Sequence, residues 1–102
     1  MAYKAPVADI LFALDHIAGF SAHLESGVFG DLDRATVEVV LDAAGDFAQD
    51  VLAPINRSGD EHGARLIDGE VVLPDGWKQA YTAFVESGWN ALPSPTEFGG
   101  QG

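Results

Sequence analysis

The chain has 102 residues, 47% of them hydrophobic and 21% charged, and its 16 acidic and 5 basic side chains give a formal net charge of −11. That length suits one domain, and the balance is that of a globular chain rather than a disordered one. The acidity argues against nucleic acid and anionic lipid as partners, which call for clustered Lys and Arg, and the lack of cysteine excludes disulfides, thiolate zinc sites and a Cys nucleophile.

The first apolar stretch is "VADILFALDHIAGF". Asp9, Asp15 and His16 interrupt it, and it is too short to cross a bilayer. The expectation is a soluble, cytoplasmic protein without membrane insertion. Val7, Ile10, Leu11, Leu14, Ile17 and Ala18 recur at three- and four-residue steps, which predicts a helix over residues 7–18 ended by Gly19. Phe12 lies off that stripe. "SAHLESGVFGDLD" reads as a linker broken by Gly27 and Gly30.

Asp33 is placed as an N-cap, with Leu32 and Val37 able to form a hydrophobic staple. A long amphipathic helix follows. Val37, Val40, Leu41, Ala44, Phe47, Ala48, Val51, Leu52 and Ile55 form its apolar face, while Glu38, Asp42, Asp46 and Asp50 share the wet one. Pro54 should break or kink it. "NRSGDEHGA" is polar and turn-rich, and Asp68-Gly69 between apolar pairs predicts a tight hairpin with two or three residues per side. "PDGWKQAYTAFVESG" predicts a third helix with Trp77, Ala80, Tyr81, Phe84 and Val85 on its face and Gly88 at its stop. The fold class is therefore all-α: three helices with one short β-hairpin.

No complete active site emerges from the residue types. His16 and His23 are separated by Gly19 and Ser21, so one helical face does not carry both. Asp60, Glu61 and His62 could touch a divalent ion, but zinc wants three or four converging ligands, and the expectation is no metal. "DLDRATVE" lacks the central Gly and further ligands of a calcium loop, and "GGQG" has neither dinucleotide nor P-loop spacing. Asp46 and Asp50, one turn apart, read as a solvated face rather than an acid–base pair. Trp77, Tyr81, Phe84 and Trp89 could line a flavin or acyl pocket, but core packing is the simpler reading. No serine has the flanking pattern of a nucleophile elbow.

Three stretches carry a resemblance. "GWNALPSPTEFGGQG", with Gly88-Trp89 and then Pro95, Glu97, Phe98, Gly99, Gly100 and Gly102, resembles the loop that closes the early helices of acyl-CoA dehydrogenases. "AGDFAQDVLAPINRSGD" resembles that family's long early helix, with its Ala-Pro at Ala53-Pro54. "AYKAPVADILFAL", with Tyr3, Ala5-Pro6, Asp9 and Phe12, resembles the N-terminal extension of one branch, the larger enzymes similar to methylmercaptopropionyl-CoA dehydrogenase.

The resemblance implies an N-terminal extension helix and linker over residues 1–30. It implies the family's N-terminal helical domain over 31–102, reaching the Gly-rich loop before the next helix. It also implies a parent with a β-sheet middle domain and a C-terminal bundle. There FAD lies between those two domains and across a subunit interface, and a C-terminal glutamate removes the substrate α-proton while hydride passes to the flavin. Neither that base nor the FAD contacts fall in this stretch, so no cofactor and no catalytic residue are expected here, and Glu97 belongs to the loop motif. By resemblance, Phe98, Gly99, Gly100 and Gly102 form a substrate-proximal loop. The implied partners are an acyl-CoA, an electron acceptor and further copies in a homo-oligomer. The alternative reading is a free-standing acidic helical module for protein–protein contacts. A reading frame continuing past Gly102 supports the first, and a stop codon there the second.

Overall fold

The computed structural model describes residues 2–102. Its elements are α1 (Val7–His16), α2 (Phe20–Glu25), α3 (Arg34–Phe47), a π turn (Ala48–Leu52), α4 (Ala53–His62), β1 (Arg65–Ile67), β2 (Glu70–Val72) and α5 (Trp77–Glu86). Two 3₁₀ turns follow at Trp89–Ala91 and Thr96–Phe98. The class is all-α with a short antiparallel hairpin, as the periodicity predicts. The chain forms two compact units, one ending at Ala53 and one spanning Pro54–Gly102.

In the first unit α1 packs against α2 and α3. Val7, Leu11 and Leu14 are half-buried on the expected stripe. Ile10 and Ile17 are not: Ile17 is 78% exposed, because α1 ends at His16 and leaves Ile17 as its C-cap. Phe12 points outward and its ring sits 4.7 Å from that of His16. The segment before α1 lies across α3, where Ala5 and Val7 flank the buried Gly45 and the Ala5 N–H donates to Gln49 Oε1 at 2.8 Å.

Residues 21–25 differ from the expected linker. Gly19 does end α1, but the chain restarts at once as α2, with Phe20 packed against Phe29 at 5.9 Å between ring centroids. Asp33 caps α3 as expected, its carboxylate accepting from the Thr36 N–H at 2.7 Å. That bond holds the Asp33 carboxyl below its ordinary pKa.

The interruption expected near Pro54 is present as a change of helix type rather than a stop. The irregularity comes just before Pro54, where the Ala53 N–H donates to the Ala48 carbonyl five residues back. A turn already widened in this way accommodates a residue that has no N–H and whose ring would crowd the carbonyl four residues back. The polar stretch after Pro54, expected as turn-rich, continues α4 to His62.

In the second unit Trp77 lies against α4. A Cβ on Gly59 would fall within 2.6–2.7 Å of indole Cε2 and Nε1, so only glycine admits the ring there, and the indole N–H donates to the Ile55 carbonyl at 3.2 Å. The hairpin has three residues per strand, with Leu66 opposite Val71. Asp68 and Gly69 both take positive φ, 51° and 83°, as a twisted two-residue turn requires. On α5, Ala80 is buried and Phe84 half-buried, but Tyr81 is 67% exposed and leaves the expected core face. Gly45 and Ala80 are the buried residues among those described, so neither unit encloses a large side chain.

Candidate functional site

The Gly-rich loop is closed upon itself. Backbone N–H groups of Phe98 and Gly100 donate to the Pro95 carbonyl (2.9 and 3.1 Å), and that of Gly99 to Thr96 (3.1 Å). Gln101 donates to Leu92 at 3.3 Å and Gly102 to Ser94 at 2.9 Å. Five consecutive amides therefore point inward, onto the carbonyls of Pro95 and Thr96 in the loop and of Leu92 and Ser94 just before it. Gly100 sits so close to the Ser94 and Ala91 carbonyls that a Cβ would overlap both. Gly99 and Gly102 meet nothing within 4 Å in the Cβ direction; both carry positive φ, 85° and 98°. Phe98 projects from this arc with 75% of its surface exposed. The four expected positions thus share one compact element but differ in what they offer a ligand.

A second concavity, about 270 Å³, is lined by Ser58, His62, Gly63, Arg65, Ile67, Val72, Leu73, Pro74 and Asp75. The sequence signalled only His62 there, because the hairpin folds Arg65 and Asp75 beside α4 from outside any local motif. Ser, His and Asp on one cleft invite comparison with a nucleophilic triad. Their bonds do not make one: Ser58 Oγ donates to the Ile55 carbonyl at 3.2 Å, and the His62 Nδ1–H donates to the Ser58 carbonyl at 2.9 Å. Glu61 turns to Arg57 at 2.8 Å rather than joining His62. Among the described residues no three His, Asp or Glu side chains converge on a metal position.

The other histidines also bond locally. His23 lies near the Gly19 carbonyl, Nδ1 at 2.9 Å, and His16 against Phe12. Asp46 and Asp50 are exposed on their helical turns. The strongest charge contact is Arg34 with Asp15, at 2.7 Å and 3.1 Å, backed by Glu38 at 2.8 Å. Arg34 lowers the Asp15 pKa, mainly by hydrogen bonding.

The glycine loop presents no free backbone amide to an FAD pyrophosphate. A dinucleotide needs free backbone amides or cations around its pyrophosphate. The amides of the glycine loop are all engaged internally, and Arg34 and Arg57 face carboxylates. No described helix is long and apolar enough to cross a membrane.

No protein-family model matches the chain. It is 39% identical, over all 102 residues, to 3-methylmercaptopropionyl-CoA dehydrogenase of Ruegeria pomeroyi. The match takes in 100% of this chain and 17% of that enzyme, at its N-terminal end. Along its whole length the chain is similar to the N-terminal region of an acyl-CoA dehydrogenase.

Proposed function

We propose that the chain is the N-terminal helical part of an FAD-dependent acyl-CoA dehydrogenase, with residues 1–30 as an added helical arm and 31–102 as the family's first domain. The parent then introduces a double bond between the α and β carbons of an acyl-CoA thioester and passes the electrons to a separate acceptor. This part is inactive by itself: the base and the flavin contacts belong elsewhere in the parent. Cytoplasmic location and homo-oligomeric assembly go with the same reading.

The observation that carries this reading is 39% identity sustained from end to end, which a shared local motif would not give. The open core supports it. Tyr81, Leu66 and Val71 are 67%, 74% and 69% exposed, as expected of a domain whose apolar surfaces meet other parts of a larger protein. The Phe98–Gly102 loop is the position from which this domain reaches the acyl group.

The test is to express the reading frame that contains the chain and to assay acyl-CoA-dependent reduction of an electron-accepting dye. FAD co-purifying with the parent, and dye reduction by acyl-CoA, are the expected results. A stop codon directly after Gly102, together with no dehydrogenase activity, overturns the reading in favour of a free-standing interaction module. In parallel, the 102-residue chain should leave FAD fluorescence unchanged at micromolar ligand.

A further inference from the structure

The sequence holds two Asp-Gly pairs, Asp68-Gly69 and Asp75-Gly76. An aspartate before glycine is open to attack on its own side chain, because no Cβ shields the glycine nitrogen. The two pairs sit in different company. Gly76 starts α5: its carbonyl accepts from the Ala80 N–H at 3.0 Å, and a Cβ there would meet Ile55 of α4 at 3.0 Å. The Trp77 N–H donates to the Pro74 carbonyl at 3.3 Å and closes the turn around that pair. Asp68 and Gly69 instead form the tip of the hairpin, whose strand residues are all exposed. Nothing lies within 4 Å of Gly69 in the Cβ direction, and the Asp68 carboxylate enters no hydrogen bond or ion pair among the described residues. A lone two-stranded hairpin is only marginally stable in water, so this turn opens more readily than the start of α5.

We propose that Asp68-Gly69 is a site of spontaneous isomerisation to isoaspartate, and that the conversion unlocks the hairpin. In the opened turn the Gly69 nitrogen attacks Asp68 Cγ. The N–Cγ bond forms, and the carboxyl hydroxyl leaves with the amide proton as water. Water then adds to the cyclic imide. When it breaks the bond from nitrogen to the former main-chain carbonyl, the chain runs through Cβ and Cγ, one carbon longer, with a free α-carboxylate and unchanged net charge. Nothing is oxidised or reduced, and water is the only co-reactant. The two-residue turn depends on φ of 51° and 83° at Asp68 and Gly69. An extra main-chain carbon removes that match, so Leu66 no longer pairs with Val71. Ile67 and Val72 then leave the wall of the cleft that they share with His62 and Arg65.

The test ages the 102-residue chain for weeks at neutral pH and physiological temperature. Cleavage after glutamate separates the two sites, since Glu61, Glu70 and Glu86 place Asp68 and Asp75 in different peptides. Electron-transfer fragmentation, which tells β-linked from α-linked aspartate, is applied to each peptide, alongside enzymatic methylation of isoaspartyl carboxylates. Isoaspartate at Asp68 should accumulate several-fold faster than at Asp75. Asp68→Asn should reach isoaspartate several-fold sooner, through the same imide with ammonia lost in place of water. Equal accumulation at the two sites overturns the assignment. So does an absence of isoaspartate at Asp68 in the folded chain when the urea-unfolded chain converts there.

The effect on the hairpin is read separately. The converted chain is resolved from the unconverted one by chromatography, and the nuclear Overhauser contact between Leu66 and Val71 is measured in each. It should be lost in the converted chain and kept in the unconverted fraction of the same aged sample. A converted chain that keeps the contact overturns the unlocking, as does an unconverted fraction that loses it.

Discussion

Arg34 clasps Asp15 with two nitrogens, Nε to Oδ1 at 3.1 Å and Nη2 to Oδ2 at 2.7 Å, and so ties the end of α1 to the start of α3 across 19 residues of sequence. An arginine fork matches both oxygens of a carboxylate, which makes it more directional than a single contact. Both side chains remain partly exposed, at 41% and 25%, so water and salt weaken the pair.

The Asp15 pKa is lowered on folding, so its contribution to stability is present above the unfolded value of about 3.9 and is lost as pH falls through the folded one. Asp33, lowered by its Thr36 bonds, acts in the same direction. Thermal midpoints of the wild type should therefore fall as pH drops below about 4, and Asp15→Asn should lose less over the same interval. At neutral pH the gap between the two should narrow as salt is added. Parallel curves for the two proteins would mean that the clasp does not persist in solution.

Leu14 lies half-buried on the α1 face turned to the rest of its unit. Truncating a core leucine costs about 2–5 kcal/mol, and partial exposure places Leu14→Ala near the lower end. Ile17→Ala, at a position 78% exposed, should shift the midpoint little. Chemical denaturation of the two variants checks the face; equal losses would contradict it.

Gly59→Ala sets two effects against each other. Inside a helix alanine is favoured over glycine by about 1 kcal/mol. Here the added methyl enters the Trp77 ring and would break the indole bond to the Ile55 carbonyl, with overpacking of about 1–3 kcal/mol. The net result should be destabilising, with red-shifted tryptophan emission. Against a Trp77→Ala background the same substitution should become neutral or stabilising. A stabilised Gly59→Ala in the wild type would mean that the ring does not rest on α4.

Exposed Leu66, Val71 and Tyr81 should promote weak self-association, opposed by the net charge of −11. Charge repulsion reaches only about 8 Å at physiological salt, so association should strengthen with added salt and with concentration. Sedimentation equilibrium at two salt concentrations decides it: a monomer throughout contradicts the expectation, whereas Leu66→Ser and Val71→Ser should weaken any association seen.

Signals confined to a few adjacent residues were readable in the sequence. Asp33 caps because its own side chain reaches Thr36, and Asp68-Gly69 turns because both residues tolerate positive φ. Periodicity found the helices but not their limits. The six residues of α2 span less than two turns, too few to establish a period, and the polar run 56–62 stays helical although its composition suggests turns. Tyr81 departs from the expected core face because an isolated helix reveals only which residues share a face, not how much of that face a neighbour covers. The inward closure of the Phe98–Gly102 amides and the grouping of Ser58, His62, Arg65 and Asp75 depend on main-chain paths that no spacing rule encodes.

The shortage of enclosed side chains has a calorimetric consequence. The heat-capacity increase on unfolding comes chiefly from apolar surface newly wetted, and for a well-filled domain of about 100 residues it is about 1.2–1.5 kcal/mol/K. With only Gly45 and Ala80 buried among the described residues, this chain has less such surface to release. Its increment should fall clearly below that range, giving a flatter dependence of stability on temperature and a broad, low-enthalpy melting transition. When other protein surface covers the apolar side chains, both quantities should rise, so the width of the melt reports how much of this domain's interior is supplied from outside it.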